Sequence, residues 1–296
     1  MASSKAAKIW RRTWIGACLV ATTATLLWLA SRDSSGMFLL GGGWILALLG
    51  VLEVSRMGRF AHRWLLPKLA PALVAALALG VLALLDRGRT ESVLFGWPAY
   101  HGSYPAEALL VYLIPLVVGL ARTVPAGVSS RTFASWIALW SILPLTWLSR
   151  IQLEWGMSGV VALIILSKIG DTAGYFVGNA IGKSHPFPTI SPGKTTAGCV
   201  GSLVAGTLMG PACVALDLLP EPHWGLTGSL LVGALINVAA QAGDLVESAA
   251  KRASGVKDSG TWFGPAGGVL DVTDSLLLTV PVAILSWPLF FDRLPG

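Results

Sequence analysis

The chain has 296 residues, 54% hydrophobic and only 12% charged, against ~25% charged in ordinary soluble domains. Its mean hydropathy is +0.70 and its formal net charge +6. These values exclude a disordered chain and a soluble globular enzyme, and 34 Gly and 17 Pro dispersed through apolar blocks exclude collagen-like and low-complexity chains.

The expected fold class is all-α, a polytopic membrane protein. A hydrocarbon core ~30 Å thick takes ~20 apolar residues per helix. In chain order, nine segments meet or approach that length: 13–31, 37–54, 67–85, 105–121, 132–149, 158–178, 197–218, 226–246 and 267–290. About five form an N-terminal membrane region, 1–157, and about four a C-terminal catalytic region, 158–296, with loops 179–196 and 247–266. The first segment follows Lys5, Lys8, Arg11 and Arg12. It is longer than the ~7–15-residue apolar core of a signal peptide, so it reads as a retained span.

Lys and Arg divide unevenly between alternate connections. The N-terminus, 55–68, 122–131, 179–196 and 247–266 hold 15 of the 21, the other connections hold 5, and Lys168 lies inside a span. The positive-inside rule then makes the first set and the N-terminus cytoplasmic. The basic balance is topology rather than a nucleic-acid footprint. Trp10, Trp14, Trp97, Trp155 and Trp224 fall near predicted span ends, as an interfacial belt requires. Cys18, Cys199 and Cys213 lie in apolar stretches without metal spacing and are expected to be buried. His62, His101, His185 and His223 show no ligand spacing either.

Charge inside the membrane is concentrated in the last four segments, where an ionisable residue is a functional candidate by default. Gly170, Gly174, Gly178 and Gly182 recur every four residues and form a ridge for close helix approach, within the chain or in a homodimer. Lys168, Asp171, Tyr175 and Asn179 make a polar stripe beside it, with a Lys168–Asp171 pair as the simplest structural reading. Asn237, Gln241, Asp244 and Ser248 share one face of the eighth segment, and Glu247 is three residues beyond Asp244. Asp271 and Asp274 share a face at the start of the ninth. With Asp244 they place three carboxylates near one membrane face, the hard oxygen donors that Mg2+ prefers. The loop Lys251 to Gly260 is basic and rich in Gly and Ser, suited to phosphate. Ser191-Pro192-Gly193-Lys194-Thr195 is not a P-loop, because Pro188 stands where its first Gly belongs.

Asp244-Leu245-Val246-Glu247-Ser248, Lys251-Arg252, Gly255-Val256-Lys257-Asp258-Ser259-Gly260 and Gly267-Gly268-Val269-Leu270-Asp271, then Asp274-Ser275, together resemble the C-terminal signature of CDP-diacylglycerol synthases (phosphatidate cytidylyltransferases). Asp171 to Gly182, followed by Ile190-Ser191-Pro192 and Lys194-Thr195, resembles that family's second conserved region. The resemblance covers residues 160–290. It implies Mg2+-dependent transfer of CMP from CTP to phosphatidate, giving CDP-diacylglycerol and pyrophosphate for phospholipid synthesis. It implies that Asp244, Asp271 and Asp274 hold one or two cations and that Lys251, Arg252 and Lys257 bind phosphates, with Asp258 a further catalytic-region residue. Asp171, Ser191, Lys194, Thr195 and Ser248 would line the substrate-binding part of the cavity. The partners implied are CTP, a lipid phosphate and membrane lipids, at a bacterial-type plasma membrane with the site facing the cytoplasm. The chain departs from the pattern at Ala266 (usually His), Val272 (usually Arg), Gly193 (usually Lys) and Ala197 (usually Glu). The alternatives are a cytidylyltransferase for another lipid phosphate, a secondary transporter, or a catalytically silent paralogue.

Overall fold

The computed structural model describes residues 2–57, 130–264 and 267–292. The expected spans 67–85 and 105–121 lie outside them, as do His62, Trp97, His101 and Ala266. Every regular element among the described residues is helical: α1 (Ala2–Ala30), α2 (Met37–Arg56), α3 (Ser130–Ile181), α4 (Thr196–Ala215), α5 (Gly225–Ser254), α6 (Val269–Thr273) and α7 (Leu276–Phe290). Four stretches are long and apolar enough to cross a membrane: Trp147–Ile181, Thr196–Ala215, Gly225–Ser254 and Val269–Phe290. Trp14–Ala30 and Met37–Gly50 are shorter apolar helices. This is the architecture of an integral membrane protein, with fewer spans among the described residues than the nine expected.

The α1–α2 corner is held by Asp33, whose carboxylate accepts from the amides of Ser35 (2.8 Å) and Phe38 (2.7 Å). The Ser35 hydroxyl and then the Phe38 amide hold that carboxyl below its ordinary pKa. Gln152 of α3 donates to the carbonyls of Ala30 (3.2 Å) and Asp33 (2.5 Å), tying α3 to the same corner.

α3 is two helices joined across a kink at Trp155 and Gly156. Gly156 has φ 68°, in the region where a Cβ is strained, so glycine permits the break. The separate spans expected over 132–149 and 158–178 fall on either side of it. Trp155 is not interfacial as expected. It is 2% exposed and packs edge-to-face on Trp287, with ring centroids 5.4 Å apart. Trp10, Trp14 and Trp224 are exposed, as a belt requires. Of the cysteines, Cys213 is buried, Cys199 intermediate and Cys18 exposed, so the expectation of burial fails for Cys18. Its neighbours on α1 are also largely exposed, so α1 has few packing partners there among the described residues.

Lipid tails are as apolar as a leucine core, so helices in a bilayer associate by close packing rather than by escape from water. The glycine ridge shows how. A Cβ on Gly174 would come 3.1 Å from the Gly198 carbonyl, and one on Gly178 would come 2.8 Å from Thr195 Oγ1. Gly170 abuts Ser202 and Asn237. The ridge is therefore filled within the chain, by α4 and by Asn237 of α5. Asn237, which is fully buried, bonds Ser202 Oγ at 3.2 Å and accepts from Gln241 Nε2 at 2.7 Å. The upper part of the α5 stripe is thus helix–helix glue. Gly178→Leu is expected to lower stability by about 1–3 kcal/mol through overpacking, whereas Gly41→Leu, whose Cβ would meet nothing within 4 Å, should not. Thermal melts of the purified proteins in detergent check this.

The apolar core lies between α3, α5 and α7, around Leu163, Leu166, Ile236, Leu277 and Trp287. At one end of the bundle the His223 amide donates to the Phe290 carbonyl (2.8 Å). At the other, the Thr196 amide donates to the Ser184 carbonyl (2.9 Å) and Arg252 Nε donates to the Ile190 carbonyl (3.3 Å). The connections 182–195 and 255–268 thus meet at the same end, as the charge bias expected of loops 179–196 and 247–266, but both are shorter than expected because α3 runs on to Ile181 and α5 to Ser254.

Candidate active site

That end carries the charged side chains. The last two turns of α5 place Asp244, Glu247, Ser248 and Lys251 on one face by their i, i+3, i+4 and i+7 spacing. α6 and α7 run almost continuously, because Asp274 and Ser275 keep helical dihedrals between them. Gly243 allows close approach there: a Cβ on it would lie 2.7 Å from the Asp274 carbonyl. The result is a cluster in which carboxylate oxygens of Asp244, Glu247 and Asp274 all lie within 4.8 Å of one another.

The trio differs from the expected Asp244, Asp271 and Asp274. Glu247 takes the place of Asp271, whose two oxygens are engaged elsewhere. Asp271 Oδ1 pairs with Lys251 Nζ at 2.7 Å. Its Oδ2 accepts from the Ser259 hydroxyl (2.6 Å), the Ser259 amide (2.9 Å) and the Gly268 amide (2.8 Å). A carboxylate so fully bonded holds the 255–268 connection against the start of α6.

Lysines from three elements surround the cluster. Lys168 of α3 pairs with Asp274 (3.1 Å), Lys194 of the 182–195 connection with Asp244 (2.6 Å), and Lys251 of α5 with Glu247 as well as Asp271. The Lys168–Asp171 self-pair read from spacing gives way to this longer-range pair. Asp171 is exposed on α3, within electrostatic reach of Lys168, Asp274, Asp244 and Lys194. Glu247 is 2% exposed, and its Oε1 has no hydrogen-bond partner among the described residues.

The remaining expected residues divide between site and scaffold. Ser248 Oγ lies 3.5 Å from Asp244 Oδ1, at the edge of the cluster. Thr195 is the N-cap of α4, its Oγ1 accepting from the Gly198 amide at 3.0 Å. The Ser191 carbonyl closes the turn that presents Lys194 by accepting its amide at 3.1 Å. Arg252 Nη1 bonds the Val256 carbonyl (3.1 Å) as well as spanning to Ile190, so it braces two connections. Lys257 and Asp258 are exposed on the connection after α5. Val272 is half-buried on α6. Neither Glu247 nor Lys168 is among the catalytic, substrate-binding or metal residues expected from the sequence. The signal for Glu247 was its i+3 spacing from Asp244, but nothing local pairs Lys168 with Asp274.

The donor chemistry fits a hard divalent cation: three carboxylates converge, and a buried carboxylate oxygen among them lacks a partner among the described residues. A family model for the cytidylyltransferase family matches residues 10–290. The chain belongs to that family. Among relatives, it is 35% identical over 161 residues to the uncharacterized protein YnbB of Escherichia coli (strain K12), covering 52% of this chain and 51% of that one. It is 36% identical over 137 residues to a phosphatidate cytidylyltransferase of Bacillus subtilis (strain 168), covering 46% and 50%. These matches span about half the length of each relative. A phosphatidate cytidylyltransferase of Staphylococcus epidermidis is 27% identical over 272 residues, 89% of this chain and 95% of that one. Membership of the cytidylyltransferase family thus extends across the N-terminal helices, beyond the C-terminal motifs.

Proposed function

We propose that this protein transfers CMP from CTP to phosphatidate, giving CDP-diacylglycerol and pyrophosphate. The observation that supports this most directly is the meeting of Asp244, Glu247 and Asp274 with three lysines at one end of a membrane bundle. An acid cluster ringed by cations suits crowded phosphates, and the bundle keeps a two-chain lipid within reach.

Asp244, Glu247 and Asp274 would hold Mg2+, with Asp171 facing the same space. Bound there, Mg2+ would neutralise phosphate charge and stabilise departing pyrophosphate. Lys168 and Lys194 are held by carboxylates and positioned to exchange them for phosphate oxygens. Lys257, exposed on the connection after α5, would meet the triphosphate from solution. The acceptor is a phosphate monoester with a second pKa near ~6, so it is mostly a dianion at neutral pH and needs no strong base. Its oxygen forms the new bond to the α-phosphorus of CTP. The bond from that phosphorus to the bridging oxygen breaks, and pyrophosphate leaves with the electron pair. The chain's task is placement and charge compensation, and loss of a titratable His at Ala266 is compatible with that. By charge bias the site faces the cytoplasm.

The test is turnover by purified protein in mixed micelles with CTP labelled at the α-phosphorus, phosphatidate and Mg2+. Labelled CDP-diacylglycerol that disappears with EDTA is the expected result. Product formed only with an isoprenoid phosphate would move the acceptor to another lipid class. No labelled lipid with either acceptor would sink the reading.

A further inference from the structure

α2 has a carboxylate, Glu53, in its last turn, and it is 1% exposed. An apolar helix has no local use for a buried acid, so its partners decide its role. Glu53 Oε1 accepts from the Val269 amide (2.7 Å), and Oε2 accepts from the Leu270 amide (3.0 Å). The Ser259 hydroxyl lies 3.1 Å from Glu53 Oε2 and 2.6 Å from Asp271 Oδ2, so one proton is shared between the two carboxylates.

These contacts solve a specific problem. The first amides of a helix have no intrahelical acceptor, and buried orphans are costly. The Gly268 amide is taken by Asp271, and the next two by Glu53. The surrounding glycines are shaped to it. A Cβ at Gly268 would collide with the Glu53 carboxylate, and one at Gly260 would come 2.6 Å from Oε1. Gly268 has φ −100°, which any residue adopts, so it is glycine for room and not for backbone freedom.

We infer that Glu53 is a positioning residue for the cation site: by clamping the first turn of α6 from α2, it sets where Asp271 and Asp274 stand. Asp271 is the third residue of that five-residue turn and Asp274 the next after it, so a shift of the Val269 and Leu270 amides moves both acids. This assigns the N-terminal region a part in the site, through a residue that touches no substrate.

The inference rests on the proposed function for its turnover arm, and one arm is independent of it. Glu53→Gln keeps the shape but turns an amide donor toward donors. Gly268→Ala leaves Glu53 in the chain and displaces its carboxylate by a methyl group. Both are expected to raise the Mg2+ concentration for half-maximal CTP turnover ~10–100-fold, the usual effect of losing an outer-shell partner. In the Glu53→Ala background, Gly268→Ala should add nothing further, because the group it displaces is gone. Hydrogen–deuterium exchange should accelerate at 268–275 and stay unchanged over 226–246. An unchanged Mg2+ response in both variants overturns the inference. So does exchange that rises equally in α5, which would mean general loosening. If the wild type makes no labelled lipid, the proposed function fails and exchange alone judges the clamp. Unaltered protection at 268–275 in both variants would then overturn it.

Discussion

Asp274→Asn is expected to reduce turnover at least ~100-fold, the upper end of what losing an outer-shell partner does to a metal site, while leaving the protein folded. The side chain is nearly isosteric, so packing against Gly243 and the α6–α7 junction is retained. What changes is charge: the cluster with Asp244 and Glu247 keeps two carboxylates instead of three. Lys168 loses its partner on α7 but remains near Asp171 and Asp244, so it is not stranded without an acid. The loss should therefore appear in turnover and its Mg2+ dependence rather than in the melting temperature. Asp292→Asn is the control. That carboxylate is 94% exposed at the opposite end of the bundle, beside His223, and turnover should be unchanged. Equal turnover by Asp274→Asn and wild type would remove the cluster from the reaction.

Asp271→Asn is expected to behave differently, and the geometry gives the reason. Asp274 contributes to the trio, whereas Asp271 binds Lys251, Ser259 and Gly268. Two aspartates of one motif thus have separable work, one facing the cluster and one holding the turn that carries it. Spacing placed both on one helical face. It could not say which would be saturated by neighbours, because those neighbours are brought in by the last turn of α5 and the connection after it.

That distinction marks where the sequence was informative. Residues related by helical periodicity were legible: Glu247 stands three positions beyond Asp244 by count alone, and the Gly170–Gly182 ridge was visible as a close-packing surface, whereas Lys251 reads as part of a basic loop and is in fact in the last turn of α5. Residues related by tertiary placement were not. Lys168 reads locally as the partner of Asp171, yet α7 brings Asp274 to it. Trp155 reads as an interfacial anchor because it ends a span, but the kink at Gly156 turns it onto Trp287. Thr195 sits in a motif resembling a binding loop, yet its hydroxyl is used as a helix cap. Glu53 is least visible of all. A single acid near the end of an apolar helix carries no spacing signal, and its partners are backbone amides more than two hundred positions away in the chain.

Lys251→Met is expected to destabilise the protein by about 3–5 kcal/mol, the range for breaking a buried ion pair by removing one partner. Lys251 is 9% exposed and is the cation shared by Glu247 and Asp271. Removing it leaves the buried Glu247 and the half-buried Asp271 without the cation between them. Among the described residues, Glu247 keeps no hydrogen-bond donor, and Asp271 keeps only those of Ser259 and Gly268. The double variant Lys251→Met, Asp271→Asn should recover part of the loss, because one uncompensated charge goes with the second change. A phosphate-binding lysine without this structural role would behave otherwise: its loss would raise the KM for CTP and leave the melting temperature alone. Melting curves and CTP titrations of the single and double variants therefore separate the two roles. If Lys251→Met melts with the wild type, the shared lysine is not what holds α5 to α6. Recovery in the double variant would locate the strain at the Glu247–Asp271 pair, which the lysine bridges.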